Sequence, residues 1–153
     1  MRTFNIFAIA ALAYTASADK IRAHCKVMNA SNEEQGKINL VQEINLDEPQ
    51  PTIVNLGIRD LESAVIHDLM ILENDGQQEC LFAATETPIY SAFSFLSSPA
   101  GMAGGRGLVD RSLNLSVEEH DGQFAALVDE DGLPVACCVL AVKECPADDM
   151  NQN

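Results

Sequence analysis

Apolar and polar residues alternate along several short segments of this chain, and this period of two constrains the fold more than any other feature. The residues that carry the alternation most clearly are Ile38, Leu40, Ile44, Leu46, Leu113, Leu115 and Val117. Because successive side chains of a strand point to opposite faces, the pattern predicts half-buried β-strands. Further strands are predicted at residues 25–30, 52–58, 64–72, 89–96, 123–129 and 133–142. About eight short strands predict an all-β antiparallel sandwich or barrel.

Turn residues separate these segments, as in Asn74-Asp75-Gly76 and Asp131-Gly132. No stretch after residue 18 joins a helical period to capping residues over ten positions, so no long helix is predicted. The segment 97–107 contains Pro99 and four glycines, and we predict a flexible connection there.

The first 18 residues have the pattern of a secretory signal peptide. Arg2 precedes a short apolar run, and Ala16-Ser17-Ala18 fits a small-residue cleavage site. No later segment is apolar over the roughly 20 residues that a membrane-spanning helix needs. We therefore expect a secreted, extracellular protein with one domain at residues 19–145 and a short polar tail at 146–153.

The expected mature chain is strongly acidic. Without Arg2, eight Lys and Arg stand against 23 Asp and Glu, which gives a formal charge of −15. Phosphate backbones and anionic membrane surfaces would be repelled, so we expect neither a nucleic acid nor a membrane as a partner. A well-solvated surface explains the acidity without an acidic binding site.

Five cysteines follow residue 18, namely Cys25, Cys80, Cys137, Cys138 and Cys145. Export would place them in a compartment that permits disulfides, and the odd number leaves one thiol spare. Asn29 and Asn114 each begin an Asn-x-Ser sequon, so both are candidate N-glycosylation sites.

Four segments of the chain are informative when they are taken in order, namely Gly36 to Gln42, Cys80 before a loop, Arg111 to Ser116, and Val135 to Val139. In order and spacing they resemble segments of copper/zinc superoxide dismutases, most closely the extracellular branch. The resemblance implies an eight-stranded Greek-key β-barrel, which agrees with the strand count. It also implies a disulfide between Cys80 and Cys137, because the family ties its long metal-site loop to its last strand.

The other cysteines are placed by strand pairing. An antiparallel pairing of the first and last strands would set Cys25 beside Cys145, and we expect these two to form the second disulfide. Cys138 then points to the opposite face from Cys137 and is left over, either as a buried thiol or as an intermolecular link.

The resemblance also implies that the catalytic metals are absent. Active members of the family bind copper through four histidines, one of them shared with zinc, and zinc through two further histidines and an aspartate. This chain has three histidines. The positions that match family ligands include Leu69, Ile71, Glu86 and Ser116, although a shift of two residues would put His67 and Leu69 in place of the first two. Residues 91–107 contain no histidine, and Pro134 stands where the family has an arginine that attracts superoxide. We therefore expect neither copper nor zinc, and no dismutase activity.

The expected function is non-catalytic, namely a structural, storage or protein-binding role with a protein partner or with self-association. One alternative is an extracellular copper-binding protein, or a superoxide dismutase with a rearranged metal site built from His67, His120, His24 and a cysteine. Taken singly, His24 and His120 are predicted to face solvent, and His67 is predicted to be a hydrogen-bonded histidine in the core or at a strand edge. Another alternative is a ligand-binding sandwich with a pocket beside the aromatic residues Phe82, Tyr90, Phe93 and Phe95.

Overall fold

A computed structural model describes residues 18–29, 31–45, 47–48, 50–77, 79–83 and 88–147, and it describes residues 91–93 by their backbone alone. The predicted signal peptide, apart from Ala18, lies outside the described residues. So do Leu46, Glu86 and residues 148–153 of the predicted tail.

The regular structure of the described residues is almost entirely strand. The strands are β1 (Lys20–Met28), β2 (Glu34–Glu43), β3 (Thr52–Ile58), β4 (Ile66–Leu72), β5 (Tyr90–Leu96), β6 (Ala103–Asp110), β7 (Phe124–Val128), β8 (Pro134–Val139) and β9 (Ala141–Cys145). A 3-10 turn spans Cys80–Phe82, and the short helix α1 spans Val117–His120. No helix in these ranges is long and apolar enough to cross a membrane.

The strands form one antiparallel sheet in the order β5-β4-β7-β8-β1-β2-β3-β6, which curls into a nearly closed eight-stranded barrel. β7 returns beside β4 after β5 and β6 have intervened, which is a Greek-key connection. β8 and β9 both pair with β1 and are separated only by Leu140, whose backbone bonds to Gly122 and Gln123 instead. They act as one long interrupted strand, and the predicted all-β barrel is confirmed.

The first strand begins at Lys20 rather than at Cys25, and two further segments differ from the sequence predictions. Leu113 and Leu115 alternate with polar residues but lie in no strand. Their backbone N–H groups donate to side chains instead of to a neighbouring strand. Asp110 Oδ1 accepts from the Leu113 N–H at 3.0 Å, and Gln42 Oε1 accepts from the Leu115 N–H at 2.8 Å. The predicted flexible connection at 97–107 instead contains the start of β6, whose Gly104 pairs with Gly57 of β3.

The core has two parts. The larger lies inside the barrel, where β1 contributes alternate residues such as Ile21, Ala23 and Val27. The smaller lies outside, where the 3-10 turn covers β7 and β8, and it contains Leu72, Ala83, Phe124, Ala126, Val128 and Cys137. β7 is therefore buried on both faces.

Candidate functional site

The cysteines form two disulfides on opposite faces of β8. Cys25 is bonded to Cys138 with their Cα atoms 5.7 Å apart, and Cys80 is bonded to Cys137 with their Cα atoms 6.1 Å apart. Cys138 lies in the core inside the barrel, whereas Cys137 lies in the outer core, since neighbouring strand residues face opposite ways. The Cys80–Cys137 bond is the pair that the resemblance implies, and it ties the 3-10 turn to the barrel.

The predicted pairing of Cys25 with Cys145 is wrong. β1 begins at Lys20 rather than at Cys25, so its antiparallel register places Cys145 beside Lys20. Cys25 lies further along β1, toward the end where β8 replaces β9 as the neighbouring strand. The spare thiol is consequently the partly exposed Cys145, and not Cys138 as predicted.

The three histidines lie on three different elements. His24 is exposed on the outer face of β1, as predicted. His67 on β4 is 1% exposed inside the barrel, which confirms the core position but not the hydrogen bonds that were expected for its ring. Neither ring nitrogen of His67 has a hydrogen-bond partner in the described part of the chain.

His120 is only 4% exposed, so the prediction that it faces solvent is wrong. It is the last residue of α1, and its Nδ1 accepts from the backbone N–H of Ser116 at 3.1 Å. The sequence around it looks like a polar turn, but a single helical turn folds the ring back over the residues before it.

The arrangement does not assemble the proposed rearranged metal site. Within the described ranges, no group of three or more His, Cys, Asp or Glu side chains is placed to hold a metal ion. Leu69 and Ile71, which match family ligand positions, are packed in the core inside the barrel. Ser116, matched to another ligand, is the N-cap of α1.

A polar cluster that sequence reasoning missed joins the two edge strands of the barrel. The Tyr90 hydroxyl, at the start of β5, donates to Asp110 Oδ2 at the end of β6. Asp110 Oδ1 accepts from Ser112 N at 2.7 Å, from Ser112 Oγ at 2.9 Å and from Leu113 N at 3.0 Å. The cluster therefore links β5 to β6, which share no ladder of backbone pairs. Nothing in the local sequence reveals it, because Tyr90 and Asp110 meet only through the tertiary fold.

The cluster shifts the pKa of both acids. Burial alone would raise the pKa of Asp110, but the hydrogen bonds from Tyr90, Ser112 and Leu113 lower it below its ordinary value. Burial and the bond to the Asp110 carboxylate raise the pKa of Tyr90 to about 12. Both shifts favour the hydrogen-bonded pair of a neutral phenol and a carboxylate.

The described aromatic side chains of the predicted ligand pocket do not form one wall, and the side chain of Phe93 lies outside the described part of the chain. Phe82 is 73% exposed on the 3-10 turn, against β7 and β8. Tyr90 and Phe95 lie on β5, and β4 separates β5 from β7. A shallow groove of about 540 Å³ lies elsewhere, over the ends of β2, β3 and β6, and the side chains of Phe82, Tyr90 and Phe95 do not line it.

The two sequons differ in their surroundings. Asn114 is exposed in the segment between β6 and α1. Asn29 is partly buried, and its Oδ1 accepts from the backbone N–H groups of Ser31 and Glu33, each at 2.9 Å. Asn114 is therefore the more accessible of the two candidate glycosylation sites.

The fold and these contacts define a disulfide-bonded, all-β antiparallel barrel. Comparison with models of known protein families and with curated protein sequences gave no match. Membership of the copper/zinc superoxide dismutase family therefore stays a prediction that rests on the four sequence segments.

Proposed function

We propose that the chain is a secreted, non-catalytic protein of the superoxide dismutase type, with a structural, storage or protein-binding role. The four similar segments, the antiparallel Greek-key barrel and the Cys80–Cys137 bond support this kinship together. Any one of them alone would be weaker, since a fold does not determine a function.

The observation that carries the proposal lies on β4. The resemblance matches the family's metal-binding His-x-His pair to Leu69 and Ile71, or to His67 and Leu69 after a shift of two residues. The side chains of Leu69 and Ile71 are both packed into the core inside the barrel. Aliphatic side chains offer no lone pair to copper. His67, two residues before Leu69, is enclosed in the same interior.

Secretion is part of the proposal for two reasons. Residues 1–18 have the charge, apolar run and small-residue end of a signal peptide. Two disulfides suit an oxidising compartment such as the extracellular space. Glycosylation at Asn114 would follow from passage through a eukaryotic secretory route.

The test is superoxide consumption by the purified mature chain, produced with and without added copper and zinc. We expect the rate of the uncatalysed reaction in both samples. The variant His24→Ala serves as a control, because it removes an exposed imidazole that could pick up stray copper. Metal-dependent dismutation that persists in this variant would overturn the proposal.

A further inference from the structure

Five of the eight Lys and Arg residues that follow residue 18 lie on one face of the barrel. This cationic face consists of Lys20, Arg22 and Lys26 on β1, Lys37 on β2 and Lys143 on β9. Ile21, Ala23, Cys25 and Val27 point into the barrel, so the residues between them point outward. Lys37 lies directly opposite Lys26, and Lys143 lies directly opposite Arg22. Residues opposite each other in an antiparallel pair share a face, and all five side chains therefore project together.

This arrangement does not favour folding. Like charges directly opposite each other on neighbouring strands are destabilising, and the face contains two such pairs although the chain has 23 acidic residues. Two carboxylates offset part of the charge: Lys20 Nζ lies 3.6 Å from Glu43 and Lys26 Nζ lies 3.2 Å from Glu34. These ion pairs are partly or largely exposed and contribute little to stability.

The cationic face remains positive in a strongly negative molecule. Glu43 and Glu34 offset Lys20 and Lys26, so the positive excess of the face rests on Lys37 and Lys143, whereas the chain from residue 19 onward has a formal charge of −15. Lys37 and Lys143 form no ion pair with the described residues, so their ammonium groups are available to a ligand. A local excess of cations that opposes folding points to an anionic partner.

The dimensions of the face indicate which anion fits. From Lys20 to Lys26 the row runs along one strand for about 20 Å, with outward side chains about 7 Å apart. An extended polypeptide has the same repeat between alternate side chains, so carboxylates at every second position would meet successive cations. A nucleic acid duplex or a membrane would extend past the face and over the acidic remainder of the surface. A short segment stays above the cations, within about a Debye length of 8 Å.

We propose that the cationic face binds an extended acidic segment of about five to seven residues from a partner protein. The inference rests on the proposed protein-binding function and names the chemistry of the partner. Carboxylates of the segment pair with Lys37, Lys143 and the row along β1, and His24 lies in the middle of that row.

The test uses a fluorescein-labelled hepta-glutamate peptide and measures its anisotropy against the mature protein. We expect saturable binding in 20 mM NaCl that is lost in 500 mM NaCl, and no binding of hepta-glutamine. The double variant Lys37→Glu/Lys143→Glu should bind at least about 10-fold more weakly, since it reverses two charges of the face. The matched control is Arg106→Glu/Arg111→Glu, which changes the net charge equally at exposed residues outside the face and should stay within about 3-fold of the wild type.

Several results would overturn the proposal. Absence of saturable hepta-glutamate binding would do so, and so would equal weakening by the two double variants. A DNA duplex or phosphatidylserine vesicles that bind through the face while hepta-glutamate does not would assign it to another class of partner. Circular dichroism melting curves of both variants verify folding. If the protein has no dismutase activity and does not bind hepta-glutamate, only this inference is contradicted. If it has dismutase activity, the proposed non-catalytic function is contradicted.

Discussion

Two adjacent cysteines of β8 form disulfides on opposite faces of the barrel wall, Cys138 inside the barrel and Cys137 outside it. Cys138 joins Cys25 within the main core, where both elements already belong to one sheet. Cys137 joins Cys80 on the outer face and holds a 3-10 turn of three residues over a smaller apolar cluster. The inner bond therefore belongs to the cooperative unit of the barrel, whereas the outer bond secures a peripheral segment that could open by itself.

The largest effect is expected from removing the inner bond. The double variant Cys25→Ala/Cys138→Ala should lose about 3–5 kcal/mol of unfolding free energy, because the bond closes a long loop in the unfolded chain and both side chains are buried. Guanidinium unfolding followed by circular dichroism measures the loss. The control Cys145→Ala, which removes the free thiol, should change stability by less than about 0.5 kcal/mol. An unfolding midpoint of the double variant equal to that of the wild type would refute the structural role of the inner bond.

Removing the outer bond should cost less and act locally. For Cys80→Ala/Cys137→Ala we expect a loss of about 2–4 kcal/mol, because the loop between these cysteines is shorter. Hydrogen exchange should accelerate first in residues 79–83, while the β1 and β7 amides stay protected. Uniform acceleration across the barrel would show that the two faces of β8 are not independent.

The two buried histidines should respond in opposite directions. His67→Leu replaces an interior ring without a hydrogen-bond partner in the described residues, so stability should stay equal or rise by about 1 kcal/mol. His120→Leu removes the bond to Ser116 and should cost about 1 kcal/mol. Urea unfolding of both variants in parallel provides the comparison. The prediction would be contradicted if His67→Leu clearly lowered the unfolding free energy while His120→Leu left it unchanged.

The Tyr90–Asp110 contact between the edge strands should make the unfolding free energy depend on pH in the alkaline range. Tyr90 has a pKa raised to about 12, against about 10 in an unfolded chain. The stability from the neutral phenol is therefore fully present below pH 10 and is lost as the pH rises toward 12. Urea midpoints measured from pH 9 to pH 12 should fall less steeply in Tyr90→Phe than in the wild type. Identical slopes would contradict the contact with Asp110.

The sequence predicted the parts of the fold that depend on the local pattern of apolar and turn residues. β3 was predicted with its observed ends, and β4, β5 and β7 within two residues, because each is a short apolar-rich segment with turn or polar residues at its ends. The start of β1 was placed five residues late, at Cys25 instead of Lys20. That one error produced the wrong disulfide, since the register of β1 against β9 decides which cysteine faces Cys25.

Side-chain contacts between distant segments could not be predicted in the same way. The side chains of Asp110 and Gln42 accept hydrogen bonds from the backbone of Leu113 and Leu115, which lie in no strand. An alternating sequence does not distinguish a segment held by side chains in this way from a strand held by a neighbouring backbone. The row Lys20, Arg22 and Lys26 is visible in the sequence, but the neighbouring Lys143 and Lys37 join it only through the strand register. The sequence therefore contains the cationic residues but not the face that they form.

The most direct test of the central claim, that this barrel has no dismutase-type metal site, is the metal content of the mature protein. The protein would be loaded with copper and zinc, dialysed exhaustively without chelator and measured by elemental analysis. We predict much less than one equivalent of either metal per chain, because β4 presents a single imidazole, His67, to the interior beside Leu69 and Ile71, and one imidazole cannot hold a transition metal alone. One tightly bound copper per chain that persists in His24→Ala would contradict the account.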